Sequence, residues 1–344
     1  MKALRLHGMG DLRLADEPSP IPRPGEALVR VTAVGICGSD LHWYGESGIG
    51  DAVLTRPLVL GHEAAGVIVD GPRAGQRVAL DPSIPCGTCE TCAAGRGHLC
   101  PQVRFLGHSA TDGALRELLP WPETNLIPLP DAIDDAAGAM LEPLGVAIHA
   151  LGLARVRPGD TVGIFGCGPI GLLLIQLARA AGATTIVATD RLPHRVEAAG
   201  RLGAIAALVA GGAERHVLLD ATAGRGVDAG IEIAGDDDTI ETAIALARPA
   251  GTVIVAGIPA GNQSTITASI ARRKGLDLRF SRRMNRVYPR AIALVEAGAI
   301  DVSSVVTHRF AIGDFGAAFE TAVRRVGLKV IIEPSAVASA NAAP

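Results

Sequence analysis

The sequence predicts an α/β protein with two domains, one rich in short β-strands and the other built on a doubly wound parallel sheet. The chain has 344 residues, which is more than one ordinary hydrophobic core takes up. Residues 1 to about 140 hold short β-type runs between Pro and Gly, whereas strand and helix patterns alternate after residue 160. These observations separate a β-rich first part from an α/β second part.

The first part contains several strand patterns and ends in a helix. Residues 28–34 alternate in the manner of a half-buried strand, and residues 67–69 and 77–80 have the composition of further strands. The pattern changes near Glu142, and a helix pattern then continues through Ala154. The change predicts that one domain ends and the next begins close to residue 143.

The second part alternates between strands and helices. Strands are predicted at residues 161–166, 185–190, 205–209, 229–234 and 252–257, and helices at 171–181, 195–202 and 239–247. Such an alternation favours a parallel sheet with helices on both faces. A helix at 288–297 and strands at 305–310 and 329–332 follow, and we expect these strands to rejoin the first domain. The tail from residue 335 is rich in Ala, Ser and Asn, and we predict that it is frayed.

The composition excludes several classes of function. The net charge is −3, which argues against nucleic acid or an anionic membrane surface as the main partner. The first residues lack the apolar core of a signal peptide, and no run approaches the roughly 20 apolar residues of a membrane span. The longest apolar stretch is residues 170–175. We therefore expect a soluble cytoplasmic protein.

A glycine-rich turn follows the first strand of the α/β part. Positions 166–171 read Gly-Cys-Gly-Pro-Ile-Gly, which fits the glycine pattern of dinucleotide-binding turns. Gly166 allows a tight turn, Gly168 allows the backbone to approach a pyrophosphate, and Gly171 allows the helix to pack closely on the strand. Asp190 ends the next strand, where a carboxylate accepts hydrogen bonds from ribose hydroxyls and repels a 2′-phosphate. NAD is therefore favoured, although the neighbouring Arg191 leaves NADP open. The alternative is a glycine-rich turn in an ordinary α/β domain of a chain with 42 glycines.

Four cysteines are clustered within fifteen residues, namely Cys86, Cys89, Cys92 and Cys100. Four thiolates at such spacing close a tetrahedral shell around one zinc ion and leave no open position, so the predicted site is structural. Four free cysteines or an iron–sulfur cluster are the alternatives.

A second, scattered set combines Cys37, His62, Glu63 and Glu142. Thiolate, imidazole and carboxylate form a mixed donor set that leaves zinc an open coordination position. The spacing along the chain does not bring these residues together. Taken singly, the cysteine and the histidine are more often core or loop residues than metal ligands.

Several motifs together resemble the zinc-containing medium-chain alcohol dehydrogenases. They are Gly-Ile-Cys-Gly-Ser-Asp at 35–40, Gly-His-Glu at 61–63, the four-cysteine lobe, Glu142-Pro143 and the glycine turn at 166–171. Residues 42–44, 141–149 and 306–310 are most similar to the sorbitol (L-iditol) and polyol dehydrogenase branch. The resemblance implies a mostly-β GroES-like catalytic domain at 1–143 and 283–344, with the zinc lobe at about 82–104. A Rossmann NAD-binding domain would occupy 144–282, with the active site in the cleft between the domains.

The resemblance also implies roles for individual residues. A catalytic zinc would be bound by Cys37, His62 and Glu63, with Glu142 reaching it directly or through its water. Which of the two glutamates is a ligand at rest stays open. The residues that would relay the alcohol proton outward are Ser39 and His42.

The remaining implied contacts belong to substrate and cofactor. The substrate contacts would be Trp43, Tyr44, Glu142 and Arg283. The cofactor contacts would be Gly166, Gly168, Pro169, Ile170, Gly171, Asp190, Arg191, Arg195, Ala256, Gly257, Ile258, Arg282 and Arg283. Trp43 and Met284 stand where animal sorbitol dehydrogenases have Tyr and an aromatic residue, so sorbitol itself is only one candidate substrate.

The resulting hypothesis is an enzyme with two zinc ions per chain that transfers hydride from a secondary hydroxyl of a polyol to NAD, giving a ketose. Its nearest rivals are zinc dehydrogenases acting on L-threonine, a 2,3-diol such as butanediol, idonate or a sugar phosphate. A non-catalytic zinc- and NAD(P)-binding sensor and a zinc-free quinone reductase are further alternatives. The family also implies a homotetramer or homodimer formed through the Rossmann sheets.

Overall fold

The computed structural model describes residues 1–209, 212–261 and 263–335, so most of the predicted frayed tail lies outside the described residues. The chain forms two compact units. Unit 1 comprises Met1–Glu142, Tyr288–Glu296 and the described chain from Val302 onward, and unit 2 comprises Pro143–Val287 and Ala297–Asp301. The polypeptide therefore passes from unit 1 to unit 2 and back twice.

Unit 1 is mostly β-structure. Its strands are β1 (Lys2–Gly8), β2 (Asp11–Asp16), β3 (Glu26–Gly35), β4 (Gly48–Ile49), β5 (Ala52–Val53), β6 (Leu58–Val59), β7 (Glu63–Ile68), β8 (Arg77–Leu80), β9 (Ser83–Ile84), β10 (Arg104–Phe105), β11 (Leu118–Pro122), β12 (Leu126–Pro128), β19 (Val306–Ala311) and β20 (Lys329–Glu333). Its helices are α1 (Gly38–Glu46), α2 (Glu90–Ala93), α3 (Asp135–Ala139), α10 (Tyr288–Glu296) and α11 (Phe315–Val323).

Strand β3 lies at the centre of the main sheet of unit 1. The strand order is β12-β8-β7-β3-β20-β19, with β11 also paired to β3. Alternate residues of β3 such as Val29 and Val31 are fully buried, and they join a core that includes Phe319 of α11. The predicted strands at 305–310 and 329–332 do return to this sheet, where β20 pairs with β3 and β19 pairs with β20.

Unit 2 is a parallel α/β sheet covered by helices. Its strands are β13 (Thr161–Phe165), β14 (Thr185–Asp190), β15 (Ile205–Leu208), β16 (Val227–Glu232), β17 (Ala247–Val255) and β18 (Asp277–Phe280). Its helices are α4 (Leu141–Ala154, which begins in unit 1), α5 (Pro169–Ala180), α6 (Pro193–Arg201), α7 (Ala213–Ala221), α8 (Asp237–Leu246) and α9 (Ala268–Lys274).

The strand order in unit 2 is β15-β14-β13-β16-β17-β18, and all neighbouring pairs are parallel. The chain proceeds from β13 toward one edge of the sheet and then returns to the other side of β13. The order therefore reverses between β13 and β16, and ligands of open α/β sheets bind at such a reversal, beyond the carboxyl ends of the strands. The predicted fold class is confirmed.

The units differ from the predicted domain limits near residues 283–301. The structure places 283–287 and 297–301 with the parallel sheet. Met284 and Val287 pack over Gly145 of α4, where no side chain would fit. Gln176 of α5 donates to the carbonyl of Asp301 at 3.0 Å and accepts its N–H at 2.7 Å. These contacts hold both segments in unit 2.

The largest differences from the predicted elements concern short segments. The sequence patterns did not reveal α1, α7, α9 or β18, which have weak periodicity and mixed composition. Also not predicted were the helices α2, α3 and α11 and the strands β2, β4, β5, β6, β9, β10, β11 and β12. The elements that were predicted lie within a few residues of their expected positions, except that β17 begins five residues early, at Ala247.

One helical stretch is longer and more apolar than the sequence patterns predict. Residues Asp135–Ala154 are long and apolar enough to cross a membrane by length and composition alone. In the structure 78% of its most apolar window is buried within the protein, as in the core helix of a globular domain. Charged residues such as Glu142 interrupt this stretch, so it is not an unbroken run of apolar residues.

Candidate functional site

Strand pairing in unit 1 brings Cys37, His62 and Glu63 together. Cys37 follows the end of β3, and Glu63 begins β7, where it is the register partner of Gly35 at the end of β3. A Cβ atom at Gly35 would collide with the Glu63 carboxylate, so the close approach of the two strands requires glycine there. The antiparallel register therefore places a thiol, an imidazole and a carboxylate at one end of the sheet.

The geometry of these three residues fits a metal ion. One ligand atom from each of Cys37, His62 and Glu63 lies within 4.8 Å of the others, and both His62 and Glu63 are buried. Three protein donors with one position left open form the donor set of catalytic zinc sites. Glu142 is not one of these three, although it is buried and interacts electrostatically with His62 and Glu63.

The carboxylate of Asp40 contacts both Cys37 and His62 and holds them in position. Its carboxylate accepts the backbone N–H of Cys37 at 2.9 Å and that of Gly61 at 3.1 Å, and lies 3.6 Å from Nδ1 of His62. Burial alone would raise the pKa of Asp40, but His62 and the two N–H groups outweigh burial and lower it. A carboxylate behind a histidine fixes the orientation of the ring for metal binding.

The charge on Asp40 also acts on His62. Burial tends to lower the pKa of His62, yet the charges of Asp40 and Cys37 raise it well above its usual value. An imidazole that is surrounded by negative groups and buried in this way favours a cation beside it, which again fits a metal site.

A buried lysine faces the same group of residues. Lys329 begins β20, forms an ion pair with Glu63, and is only 2% exposed. Burial tends to lower the pKa of Lys329, but Glu63 and Cys37 raise it above its usual value. The N–H of Ile36 donates to the carbonyl of Val330 at 3.0 Å, which continues the β3–β20 pairing toward Cys37 and Lys329.

Further titratable groups surround Glu142. Burial raises the pKa of Glu142 to about 7 and that of Asp81 to about 6. Tyr288 is also buried and donates its hydroxyl to the carbonyl of Leu80 at 2.8 Å. Glu63 and Glu142 therefore lie among other polar side chains that are largely removed from solvent.

Helix α1 carries the four predicted residues that follow Cys37. His42 is partly exposed, and its Nδ1 lies 2.9 Å from the Glu46 carboxylate. Trp43 is 1% exposed and packs in the core of unit 1, with its ring edge-on to His108. Tyr44 packs on Phe319. Ser39 lies in the first turn of the helix, and the roles of all four in catalysis or substrate binding stay predictions.

The four-cysteine lobe has the dimensions of a zinc site. The sulfur of Cys89 lies 3.4 Å from that of Cys92 and 3.8 Å from that of Cys100, and the sulfurs of Cys86 and Cys92 are 4.0 Å apart. A tetrahedron with Zn–S bonds of roughly 2.3 Å has edges of about 3.8 Å. None of the four forms a disulfide bond, and backbone N–H groups of Thr88 and Cys89 lower the pKa of Cys86 to about 6.

We expect Cys100→Ser to remove one zinc ion per chain and to loosen the lobe, because a structural zinc contributes directly to folding. The melting temperature should fall by several degrees, since loss of a metal site typically costs more than ~1 kcal/mol. In a unit of roughly 150–250 residues each ~1 kcal/mol lowers Tm by about 2–4 °C. Zinc content and limited proteolysis within residues 82–104 test this. Two zinc ions per chain in the variant, with an unchanged cleavage pattern, would contradict a four-cysteine zinc site.

The glycine turn of unit 2 has the predicted shape. Gly166 has a φ of 109°, which side chains rarely allow, and α5 begins at Pro169 with Gly168 as its N-cap. A Cβ atom at Gly171 would collide with the carbonyl of Gly166, so helix and strand approach as closely as the pattern requires. Ile170 lies in the first turn of α5. The N-terminus of this helix therefore lies at the point where the strand order reverses, ready for a phosphate group.

Asp190 is anchored beside this turn. Its carboxylate accepts the N–H of Cys167 at 2.8 Å and that of Leu192 at 2.9 Å, and Arg195 lies 4.0 Å away. Arg191 forms an ion pair with Asp236 at 2.6 Å, so the positive charge of Arg191 is balanced by that carboxylate. Cys167 is buried with its pKa raised by burial to about 12, in agreement with the expected packed thiol.

The other predicted cofactor residues lie on two later segments of unit 2. Ala256, Gly257 and Ile258 follow β17 at the carboxyl edge of the sheet. Arg282 is exposed and Arg283 is half-buried with a φ of 57°, a conformation that non-glycine residues rarely adopt. Their contacts to cofactor and substrate stay predictions.

The sequence patterns assigned no role to Asp40, Asp81 or Lys329. Asp40 lies within a motif that was noted as a whole. Lys329 carried a signal, because it is one of three lysines in the chain and directly precedes the apolar residues Val330, Ile331 and Ile332 of its strand. A charge in a buried strand requires a partner, so this lysine could have been singled out, although the sequence does not indicate that the partner is Glu63.

Two protein families match this chain over its two halves. Residues 23–131 match the alcohol dehydrogenase GroES-like domain, and residues 169–297 match the zinc-binding dehydrogenase domain. The chain belongs to the zinc-containing medium-chain alcohol dehydrogenases. The predicted family and enzyme class are thereby confirmed. In an enzyme of this family we expect the buried donor set to bind the catalytic zinc and the glycine turn to bind the cofactor.

Relatives within the family include polyol enzymes. The chain is 35% identical to sorbitol dehydrogenase of Bacillus subtilis, over 97% of this chain and 98% of the relative. It is 37% identical to a probable D-xylulose reductase A of Arthroderma otae, over 95% of each chain. An alcohol dehydrogenase from Escherichia coli CFT073, solved with NADH, has a TM-score of 0.88 at 28% identity, covering 97% of this chain and 99% of the other. The predicted resemblance to the polyol branch is confirmed.

Proposed function

We propose that this medium-chain dehydrogenase oxidises a secondary hydroxyl of a polyol to a ketone, with NAD as hydride acceptor. The observation that carries the proposal is the buried set of Cys37, His62 and Glu63 at the end of β3 and β7. Relatives named for sorbitol and xylulose support the substrate class. A non-catalytic sensor would not require this set to be complete.

The ligands of the catalytic zinc would be Cys37, His62 and Glu63, with Glu142 close enough to interact with them. A zinc ion at this site supplies a Lewis acid that makes the substrate hydroxyl more acidic, and NAD supplies the hydride acceptor. Asp40 holds Cys37 and His62 in place, and Lys329 holds the carboxylate of Glu63. Four cysteines in the lobe would hold the second zinc.

The proton of the substrate hydroxyl would leave through Ser39 and His42 on α1. A carboxylate only accepts hydrogen bonds, so the contact with Glu46 places the imidazole proton on Nδ1 of His42. In the neutral imidazole the other ring nitrogen, Nε2, then carries no proton and can accept one. His42 is partly exposed, and it can therefore pass a proton on to solvent.

The glycine turn would hold the pyrophosphate of the cofactor, and Asp190 the ribose of its adenosine half. Both oxygens of Asp190 accept backbone N–H groups, which fixes the carboxylate where it repels a 2′-phosphate. Because Arg191 is paired with Asp236, it is not poised to neutralise that phosphate. These contacts favour NAD over NADP.

We further propose a cytoplasmic homotetramer or homodimer. Strand β18 is at the edge of the parallel sheet, and its Phe280 is 74% exposed. A second copy paired along this edge would cover that apolar side chain.

The proposal is tested by NADH formation with sorbitol, xylitol, galactitol and L-iditol, compared with L-threonine, 2,3-butanediol and idonate. We expect the polyols to be oxidised fastest, and NAD to be used in preference to NADP. Activity confined to threonine, a diol or idonate would keep the zinc-dependent chemistry and reject the polyol assignment. Zinc-replete protein that binds NADH and oxidises no alcohol in the panel would contradict the proposed activity.

A further inference from the structure

A buried acid lies at the carboxyl edge of the parallel sheet, apart from the residues assigned above. Glu232 is the last residue of β16, which adjoins β13 at the point where the strand order reverses. Its side chain is fully buried. Among the residues that the structure describes, no lysine, arginine or histidine forms an ion pair with it.

Backbone N–H groups take the place of a cation. Oε1 of Glu232 accepts the N–H of Ala234 at 2.7 Å and that of Gly235 at 2.6 Å, and Oε2 accepts the N–H of Gly257 at 3.3 Å. The first two groups belong to the loop after β16, and the third belongs to the loop after β17. One carboxylate therefore connects the two loops that leave adjacent strands at this edge.

The loops are packed so closely that only small residues fit. A Cβ atom at Gly257 would collide with the backbone nitrogen of Gly235, and one at Gly235 would collide with the carbonyl of Ile258. A Cβ atom at Gly166 would lie 3.0 Å from the nitrogen of Ala234, so the loop after β16 also packs against the glycine turn. The carboxylate of Glu232 thus joins the backbone of Ala234, Gly235 and Gly257 into one layer. This layer lies at the edge of the sheet where ligands of such sheets bind.

The position of this layer indicates which half of a dinucleotide it faces. A doubly wound sheet binds the two halves of a dinucleotide on either side of the reversal. Asp190 and β14 lie on one side, where we have placed the adenosine half. Strands β16 and β17 lie on the other side, which is left for the nicotinamide half.

We propose that Glu232 is a positioning residue that fixes the loops after β16 and β17 for the nicotinamide half of the cofactor. The inference rests on the proposed use of NAD. Glu232 acts through the backbone of Ala234, Gly235 and Gly257, so its removal alters binding of the nicotinamide half and leaves the adenosine half in place.

The test compares NADH with ADP-ribose, which lacks the nicotinamide, in wild type and E232Q. An amide has one accepting oxygen, so E232Q loses the acceptor for at least one of the loops at nearly unchanged volume. We expect NADH affinity to fall roughly tenfold, as for loss of a hydrogen bond to a charged group. We expect ADP-ribose affinity to stay within about twofold. E214Q, which alters another buried acid of unit 2 that also accepts a backbone N–H, should leave both affinities unchanged.

Equal loss of both affinities in E232Q, or loss of neither, would overturn the positioning role. Failure of the wild type to bind either ligand would overturn the proposed use of NAD, and the inference with it. Hydrogen exchange in the wild type gives a second readout that does not depend on the stability of a variant. NADH should slow exchange at Gly235 and Gly257 more than ADP-ribose does, and equal protection by both ligands would contradict the inference.

Discussion

Cys37→Ser is expected to abolish dehydrogenase activity while the protein stays folded. The thiol belongs to the set of three donors at the end of β3 and β7, and serine is a much poorer ligand for zinc at the same position. Lewis-acid stabilisation is worth several kcal/mol, so kcat/KM should fall by ~10³-fold or more. Because Cys37 lies at a loop between β3 and α1 and is not part of a packed core cluster, we expect little change in the melting temperature.

Metal content identifies the cause of this loss. The Cys37→Ser protein should hold one zinc per chain, bound in the lobe, whereas wild type should hold two. Cys167→Ser is the matched control, because Cys167 is buried and its thiol contacts the carbonyl of Thr189, which a hydroxyl can also reach. That control should keep both zinc ions. Full zinc content and near-normal turnover in the Cys37→Ser protein would refute the assigned metal centre.

The parallel-sheet unit was predictable because its signals are local. A buried strand, a glycine turn and an apolar helix follow one another within about 20 residues, and their register is set by right-handed crossovers. Strand β14 was predicted at its observed limits, Thr185–Asp190. The glycine at position 166 adopts the positive φ that the motif requires. Short segments such as β18 were missed because they are stabilised by neighbours in the sheet rather than by their own pattern.

The proposed metal centre of unit 1 was predictable only through resemblance. Cys37 and Glu63 are 26 positions apart, and their proximity results from the pairing of Gly35 with Glu63. Strand pairing over such distances depends on the whole sheet, so sequence spacing does not reveal it. The fold also brings Lys329 to the same place from nearly 270 residues away, and no local pattern connects it to Glu63.

Removal of the Lys329 charge is expected to lower the stability of the protein strongly. Lys329 and Glu63 are both nearly inaccessible to solvent, and they form an ion pair. Loss of one partner from a buried ion pair leaves an uncompensated charge, which typically costs about 3–5 kcal/mol. In Lys329→Met the methylene chain is largely preserved, so the expected loss reflects the charge rather than a cavity.

The matched comparison is Lys2→Met, because Lys2 forms an ion pair with Asp16 at 2.8 Å on the surface. Water screens that pair, so its loss should change the free energy of unfolding by less than about 1 kcal/mol. Denaturant unfolding of zinc-free protein, in which no metal ion compensates Glu63, measures both variants. Combining Lys329→Met with Glu63→Gln should recover part of the loss, because no unpaired charge then remains. If Lys329→Met proved no more destabilising than Lys2→Met, Glu63 would have to be compensated by another group, and the lysine would have no part in holding the carboxylate at the metal centre.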